Sequence, residues 1–490
     1  MAYTRPAPAS PTQEANWLLS NTAWDVWSSA WVLDRGVLTY SFPDSTSDYG
    51  KNRAGFQAFS AAEKTAFYGI FDSLEALTKV DFVEIKADGW YGDVEGTYRF
   101  DDARSSDGAA LLRYAKNSKS GPDASYAYLP SEKADGGDAW FGNKSGTFKG
   151  AAAPGTYAYT VLMHEIGHTL GLEHSFDNGP FGAVPADRNS LEYTVMSYSS
   201  YAGAADWYNA TYDFPQTYMM LDIASLQWLY GADFGTNYGN TEYTWDPIAG
   251  AMRVGATVTL DAPNTDTIFQ TVWDGGGVDT YNASNHASGV TIDLRPGQWT
   301  TLSANQLADL DRNTAGLQPA AGNVANSLYV SGVGPDGRAT DNLIENAIGG
   351  KGGDRITGND GSNHLTGGIG ADALAGGKGA DFFVYASAGD STAAGVDTIL
   401  DFGRFDFIGM EKVDANLTVT GDQDFTWNAA AEDYDTLRSG EMGFVADGSL
   451  GGTLLARVDA DASVDFKIDV AFAETLTFTN KFIVQDALIV

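Results

Sequence analysis

Two hydrophobic periods share the first half of the chain. Gly36 to Pro43 reads GVLTYSFP, with Leu38, Tyr40 and Phe42 at every second position. That alternation predicts a strand with one buried face, closed by the proline. Ser60 and Glu63 have the spacing of a capping box, and Phe67, Ile70, Phe71, Leu74 and Leu77 follow at steps of three and four. A long amphipathic helix is therefore expected there. Val80 to Ile85 reads as the next strand and Thr97 to Phe100 as a short further one, while 101–124 is polar and reads as loop. Tyr126, Ala127, Tyr128 and Leu129, stopped by Pro130, predict an edge strand. Pro154 and Gly155 introduce a helix over 154–172, and a last helix is expected from about Gln216 to Tyr230, ended by Gly231. Strand, helix, strands and helix make an α+β plan in which the sheet walls a cleft. Ahead of it, 1–16 is rich in Pro, Ala, Ser and Thr and reads as a loose leader or short propeptide. Trp17, Trp24, Trp27 and Trp31 form an aromatic run expected to pack onto the domain that follows.

After about residue 235 the periods give way to a repeat. IGGKGGDRI (348–356), TGNDGSNHL (357–365), TGGIGADAL (366–374) and AGGKGADFF (375–383) are consecutive nine-residue units. They match GGxGxDxUx, in which a tight turn precedes a very short strand of a parallel β-roll. Ile356, Leu365, Leu374 and Phe383 would point inward. Two units complete one turn of the roll, so 349–354 should stack on 367–372, and 358–363 on 376–381. The glycines leave carbonyl oxygens bare and the sixth position supplies a carboxylate, which suits calcium and its six to eight oxygens. The candidate ligands are Gly350, Gly352 and Asp354; Asn359, Gly361 and Asn363; Gly367, Gly368, Gly370 and Asp372; and Gly376, Gly377, Gly379 and Asp381. Asn363 stands where an acid is expected, which makes its site the weaker one. From 384 to 490 the chain alternates and is rich in β-branched residues, which suggests antiparallel strands closing the roll. The expected fold is an α+β catalytic domain (17–245) followed by an all-β domain (246–490) of parallel β-roll and antiparallel β-sandwich.

Composition narrows the function. The chain of 490 residues exceeds one ordinary core. It carries 64 acidic against 29 basic residues, a formal charge of -35, which repels nucleic acid and anionic lipid. With no cysteine there is no disulfide framework, cysteine zinc cage or thiol nucleophile. No apolar run reaches the roughly 18 residues of a membrane span. The N-terminus lacks the apolar core of a signal peptide, which taken alone points to the cytosol.

The densest chemistry is HEIGHTLGLEH, residues 164–174, which holds three of the five histidines. On a helix, His164 and His168 share one face a turn apart. Glu165 lies between them, within reach of a water on a metal held there. Gly171 permits the helix to end and the chain to swing His174 onto the same ion. Three neutral nitrogens and one water make a catalytic zinc site with an open position.

HEIGHTLGLEH with the downstream VMSY resembles the metzincin zinc peptidases. Together with PQTYMMLDIASLQWLYGAD (215–233) and LTYSFP (38–43), it is similar to the serralysin family of secreted bacterial proteases. The resemblance implies zinc on His164, His168 and His174, Glu165 as general base and Met196 at the Met-turn. It makes Tyr198 a ligand of the resting metal or a donor to the transition state, so the zinc would be five-coordinate at rest. The edge strand of Tyr126 to Leu129 would pair with the substrate backbone. Further calcium ligands follow from the resemblance alone: Arg253, Gly255 and Thr257, paired with Asp274, Gly276, Gly277 and Asp279; then Glu345, Asp397 and Asp401. Asp459, Asp461 and Asp465 read instead as a solvated turn. The final Asp486 to Val490 would be an uncleaved signal for a one-step exporter, which accounts for the missing N-terminal signal. These features predict a secreted, monomeric endopeptidase with one zinc and several calcium ions, acting on protein substrates and binding neither nucleic acid nor membrane. The rival is a calcium-binding adhesin or surface-layer-associated protein with a degenerate or narrow peptidase module, which the complete ligand set and base oppose.

Overall fold

The computed structural model describes residues 4–6, 12–20, 22–25, 35–49, 54–85, 110–121, 124–148, 152–260, 266–313, 317–410, 412–415, 423–448, 450–459 and 464–485. Two compact units divide the chain. The first holds Met1–Thr236, Pro263–Gly275 and Leu307–Ala321, and the second the remainder.

In the first unit the sheet runs Val80–Glu84, Gly36–Ser41, Leu112–Asn117, Asp138–Gly142, Tyr126–Ala127. Its first four strands are parallel and the last is antiparallel, at the edge. The Ala61–Leu77 helix starts on the expected capping box: the Ser60 N–H donates to Glu63 Oε2 at 2.7 Å and the Glu63 N–H to Ser60 Oγ at 3.4 Å. Its apolar stripe packs on the sheet through rings, with Phe71 4.3 Å from Tyr40 and Phe67 5.2 Å from Tyr114, centroid to centroid.

One expectation fails here. The stretch 101–124 contains a central strand, Leu112–Asn117. Its charges misled the reading because they are buried in pairs. Arg113 Nε donates to Asp138 Oδ1 at 2.6 Å, and Lys116 Nζ to Glu63 Oε1 at 2.6 Å. A charge with its carboxylate beside it can sit inside a sheet. Parts of the leader are placed by pairing and a short helix. Thr4–Pro6 pairs antiparallel with Thr22–Trp24, and Gln13–Asn16 forms a helical turn that buries Ala15. Leu18, Leu19 and Trp24 are buried too, and Trp24 Nε1–H donates to the Thr169 carbonyl at 2.8 Å. Trp27, Trp31 and the expected strand Thr97 to Phe100 lie outside the described residues.

In the second unit the repeat strands alternate between two sheets. Asn346–Ile348, His364–Thr366, Phe382–Val384 and Phe407–Gly409 stack in one, and Thr291–Asp293, Arg355–Thr357, Ala373–Ala375 and Asp397–Phe402 in the other. All these pairings are parallel, and Asn346 faces His364 as Ile356 faces Leu374. Ile356, Leu365, Leu374 and Phe383 are fully buried between the sheets' neighbours. Glu441–Ala446, Gly451–Arg457 and Phe466–Phe472 form an antiparallel meander that joins Asp397–Phe402 and so prolongs the second sheet. Glu242–Trp245 belongs to this unit as well, pairing with Met252–Val254 and Thr280–Asn282, so the unit begins at Asn237 and not after 245. Among the described residues no helix is long and apolar enough to cross a membrane.

Candidate active site

Thr156 caps the Tyr157–Thr169 helix, its hydroxyl accepting from the Tyr159 N–H. The helix carries His164 and His168 one turn apart, both buried. Gly171 then takes φ +104, a conformation that side chains resist, and the Leu172 N–H turns back to the Gly167 carbonyl at 3.0 Å. The turn brings His174 round to the other two. One nitrogen from each of the three lies within 4.8 Å of the others.

Each imidazole is oriented through Nδ1, which donates to the Val195 carbonyl at 2.8 Å from His164, to the Leu172 carbonyl at 2.7 Å from His168, and to Asp177 Oδ2 at 3.0 Å from His174. An Nδ1–H leaves the Nε2 lone pair for a metal. His168 Nε2 and His174 Nε2 stand 3.1 Å apart. Two lone pairs that close repel unless a cation lies between them, so the donor set fits a metal ion. Burial holds His164 down to about 4 and lowers His168 as well, which keeps both neutral as ligands must be. Glu165 is buried, and that burial pushes its carboxyl up to about 8. Its Oε2 has no hydrogen-bond partner among the described residues. The Tyr198 hydroxyl donates to His174 Nε2 at 2.9 Å, and burial, then the charges of Glu165 and Asp177, raise its pKa.

Met196 is fully buried beneath the helix. A Cβ on Gly167 would sit 2.8 Å from Met196 Sδ, so a larger residue there has to push the methionine side chain aside. Tyr126–Ala127 forms the sheet edge beside the helix, and the Tyr128 N–H still pairs back to Asp138 at 2.9 Å, with Leu129 following. Several neighbours escaped sequence reasoning. Phe176 stacks on His174 with ring centroids 4.9 Å apart, and Trp207 Nε1–H donates to the Ser197 carbonyl at 2.7 Å. Asp222 accepts from the Thr194 hydroxyl and from the Val195 and Met219 N–H groups. A lone carboxylate in the apolar run MLDIASLQWLY was the available signal for it.

The glycine-rich turns of the second unit are laddered. Gly370 and Gly379 pass so close over the Gly352 and Gly361 carbonyls that a side chain on either would collide. In one stack the Val290 N–H donates to Asp354 Oδ1, the Asp354 N–H to Asp372 Oδ1 and the Asp372 N–H to Asp397 Oδ1. In the other the Thr241 N–H donates to Asp279 Oδ1, the Asp279 N–H to Glu345 Oε2, the Asn363 N–H to Asp381 Oδ1 and the Asp381 N–H to Asp406 Oδ1. Asp372 and Asp381 each keep a buried Oδ2 without a hydrogen-bond partner among the described residues, while the Asp397 carboxylate faces the Tyr385 hydroxyl. Burial pushes Asp372 up to about 6, Asp354 and Asp381 to about 7, and Asp397 to about 8. Asn363 also donates its amide to the Glu345 carbonyl at 2.9 Å.

Two placements correct the sequence reading. Arg253, Gly255 and Thr257 lie on a hairpin separated from Thr280–Asn282 by the Glu242–Trp245 strand, so they do not meet Gly276, Gly277 and Asp279. Asn237, Gly239 and Thr241 stand there: the Gly239 N–H donates to the Gly276 carbonyl at 2.8 Å, and the Gly239 carbonyl abuts Gly277. Asp274, two residues before Gly276 in the chain, is buried. Asp401 is not a rung, because it accepts from the Gly376 and Gly377 N–H groups, and Asp406 takes the rung in its place. Asp459 and Asp465 meet in a turn where Asp465 Oδ2 accepts from the Val458 and Asp459 N–H groups; Asp461 and Asp486 to Val490 are outside the described residues.

Oriented histidines around a buried carboxylate, on a helix beside a sheet edge, define a metalloendopeptidase. The Matrixin family model matches residues 30–181, and that for the Peptidase M10 serralysin C terminal matches 330–484. Metallopeptidase AprA of Pseudomonas marginalis is 31% identical over 398 residues, 77% of this chain and 72% of the relative. Metalloprotease AprA of Pseudomonas entomophila is 31% identical over 430 residues (82% and 76%), and Serralysin G of Dickeya chrysanthemi 32% over 409 (79% and 74%). The chain belongs to the serralysin family of metalloproteases.

Proposed function

We propose that the chain is a secreted, zinc-dependent and calcium-stabilised endopeptidase. The convergence of three Nε2 atoms whose Nδ1 partners are all in place carries the zinc reading. His164, His168 and His174 would hold the ion, with Tyr198 as a further oxygen donor at rest. Bound zinc supplies Lewis acidity, which makes water nucleophilic near neutral pH and polarises a peptide carbonyl. Glu165 accepts the proton of the attacking water at its free Oε2 and passes it to the departing amine nitrogen. With His174 Nε2 committed to the ion, the Tyr198 hydroxyl is released from it and would donate to the carbonyl oxygen as charge builds there. The substrate lies extended along Tyr126 to Leu129 and adds a strand to the sheet. Glu165→Gln is expected to retain zinc and lose casein hydrolysis by at least about a hundredfold. Undiminished hydrolysis with zinc retained overturns the role of Glu165 as base.

The laddered turns are read as a parallel β-roll that binds calcium, closed by the antiparallel strands as a sandwich. Ligand oxygens come from Gly350, Gly352, Gly368, Gly370 and the carboxylates of Asp354, Asp372 and Asp397 in one stack. The other uses Asn359, Gly361, Gly377, Gly379, Asp381 and Asp406, with Asn363 as a neutral rung. The first ion of that stack falls to Asn237, Gly239 and Thr241 with Gly276, Gly277, Asp279 and Glu345. Supporting this are buried carboxylate oxygens facing carbonyls that no side chain covers. Export through a one-step secretion system as a monomer that folds on meeting external calcium completes the proposal. Zinc and calcium counts on purified protein test the metal content.

A further inference from the structure

We propose that Thr194 and Asp222 are positioning residues for the metal centre, the end of a one-way hydrogen-bond relay that sets how strongly His164 holds its ion. The relay begins at His164 Nδ1–H, which donates to the Val195 carbonyl at 2.8 Å. The N–H of that same peptide group belongs to Met196 and donates to Thr194 Oγ1 at 2.9 Å. The Thr194 hydroxyl donates in turn to Asp222 Oδ1 at 2.6 Å. Every donor points the same way, from imidazole to carboxylate. The Val195 and Met219 N–H groups, at 2.9 and 3.0 Å, fill Asp222 Oδ2. Only donors meet this carboxylate in these bonds, as an acceptor-only carboxylate requires.

Thr194, Val195, Met196 and Asp222 are all fully buried, so water does not compete for any link. Hydrogen bonds in series polarise one another, and a metal-bound imidazole gains basicity from the acceptor behind it. The Val195 carbonyl is thereby a stronger acceptor than an isolated peptide would be. His168 offers an internal control. Its Nδ1–H meets the Leu172 carbonyl at 2.7 Å, and that peptide's N–H, on Glu173, ends at the neutral Leu18 carbonyl at 2.8 Å. Asp222 Oδ2, which accepts from the Met219 N–H as well as that of Val195, serves the helix start; Oδ1, given to Thr194, has no such duty.

The inference rests on the zinc reading, and zinc affinity of the full chain tests the two separately. Competition with a chromophoric chelator is expected to show Thr194→Val and Asp222→Asn binding zinc about ten- to a hundredfold more weakly than wild type, with Thr194→Ser restoring it. A wild-type chain without zinc defeats the zinc reading; wild type and Thr194→Val with equal affinity defeat the relay alone. A spectroscopic readout stands beside these variants and needs no substitution to be informative. In the zinc-loaded wild type the His164 Nδ1–H proton is expected downfield of that of His168. Thr194→Val should move the first and leave the second. A His164 proton upfield of, or level with, that of His168 overturns the relay whether or not any variant folds.

Discussion

Around His164, His168 and His174 the protein supplies a partner for every Nδ1, within 3.0 Å, and packs Met196 beneath. In the laddered turns the carboxylates are buried too, but Asp372 and Asp381 each keep an oxygen without a partner among the described residues. The three imidazoles are aimed by bonds internal to the fold, so their orientation is set before an ion arrives. The turns hold concentrated negative charge that only a cation or protons can offset. One region has its ligands aimed in advance; the other, on the calcium reading proposed above, would depend on its ligand for stability.

Calcium removal exposes this contrast most strongly. At a calcium concentration about 1,000 times its dissociation constant, one site contributes about 4 kcal/mol. Hydrogen exchange of the intact chain should therefore speed up on the order of a thousandfold in the 346–409 strands after chelation, with the Tyr157–Thr169 helix far less affected. Equal protection with and without calcium breaks the comparison. Tyr198→Phe tests the preorganised side. Turnover should fall about a hundredfold while zinc affinity and thermal stability stay close to wild type, and unchanged turnover removes the hydroxyl from the reaction.

Acidity should act on the turns in opposite directions with and without the ion. Asp354, Asp372, Asp381 and Asp397 are raised by burial to about 7, 6, 7 and 8. An unfolded Asp titrates near ~3.9. Between those values the folded state binds more protons than the unfolded one, so stability of the calcium-free protein rises as pH falls. With calcium the order reverses, because protons compete for the same oxygens. Melting temperatures at pH 8 and pH 5 in chelator and in calcium check the crossing, and parallel trends refute it. The smallest effect concerns packing: Gly167→Ala forces a methyl against Met196 Sδ and should cost about 1–3 kcal/mol in urea denaturation. No change in the urea midpoint means that Met196 yields freely.

Much of the catalytic centre is legible in eleven consecutive residues, because helical pitch alone places His164 and His168 together and Gly171 returns His174 to them. The nonapeptide repeat is legible for the same reason, since its turns and strands are set by neighbours in the chain. Long-range partners are another matter. Arg113 and Lys116 look solvated until Asp138 and Glu63 arrive from other elements. Asp406 becomes a rung, and Asn237, Gly239 and Thr241 replace the 253–257 hairpin, only when strand order is known. Asp222 meets Thr194 across 28 residues of sequence. Short-range spacing and periodicity thus determined which residues bear the chemistry, because backbone geometry is local. Which oxygens stand behind them was decided by tertiary structure, because a buried polar group takes whichever partner folding brings within hydrogen-bond reach.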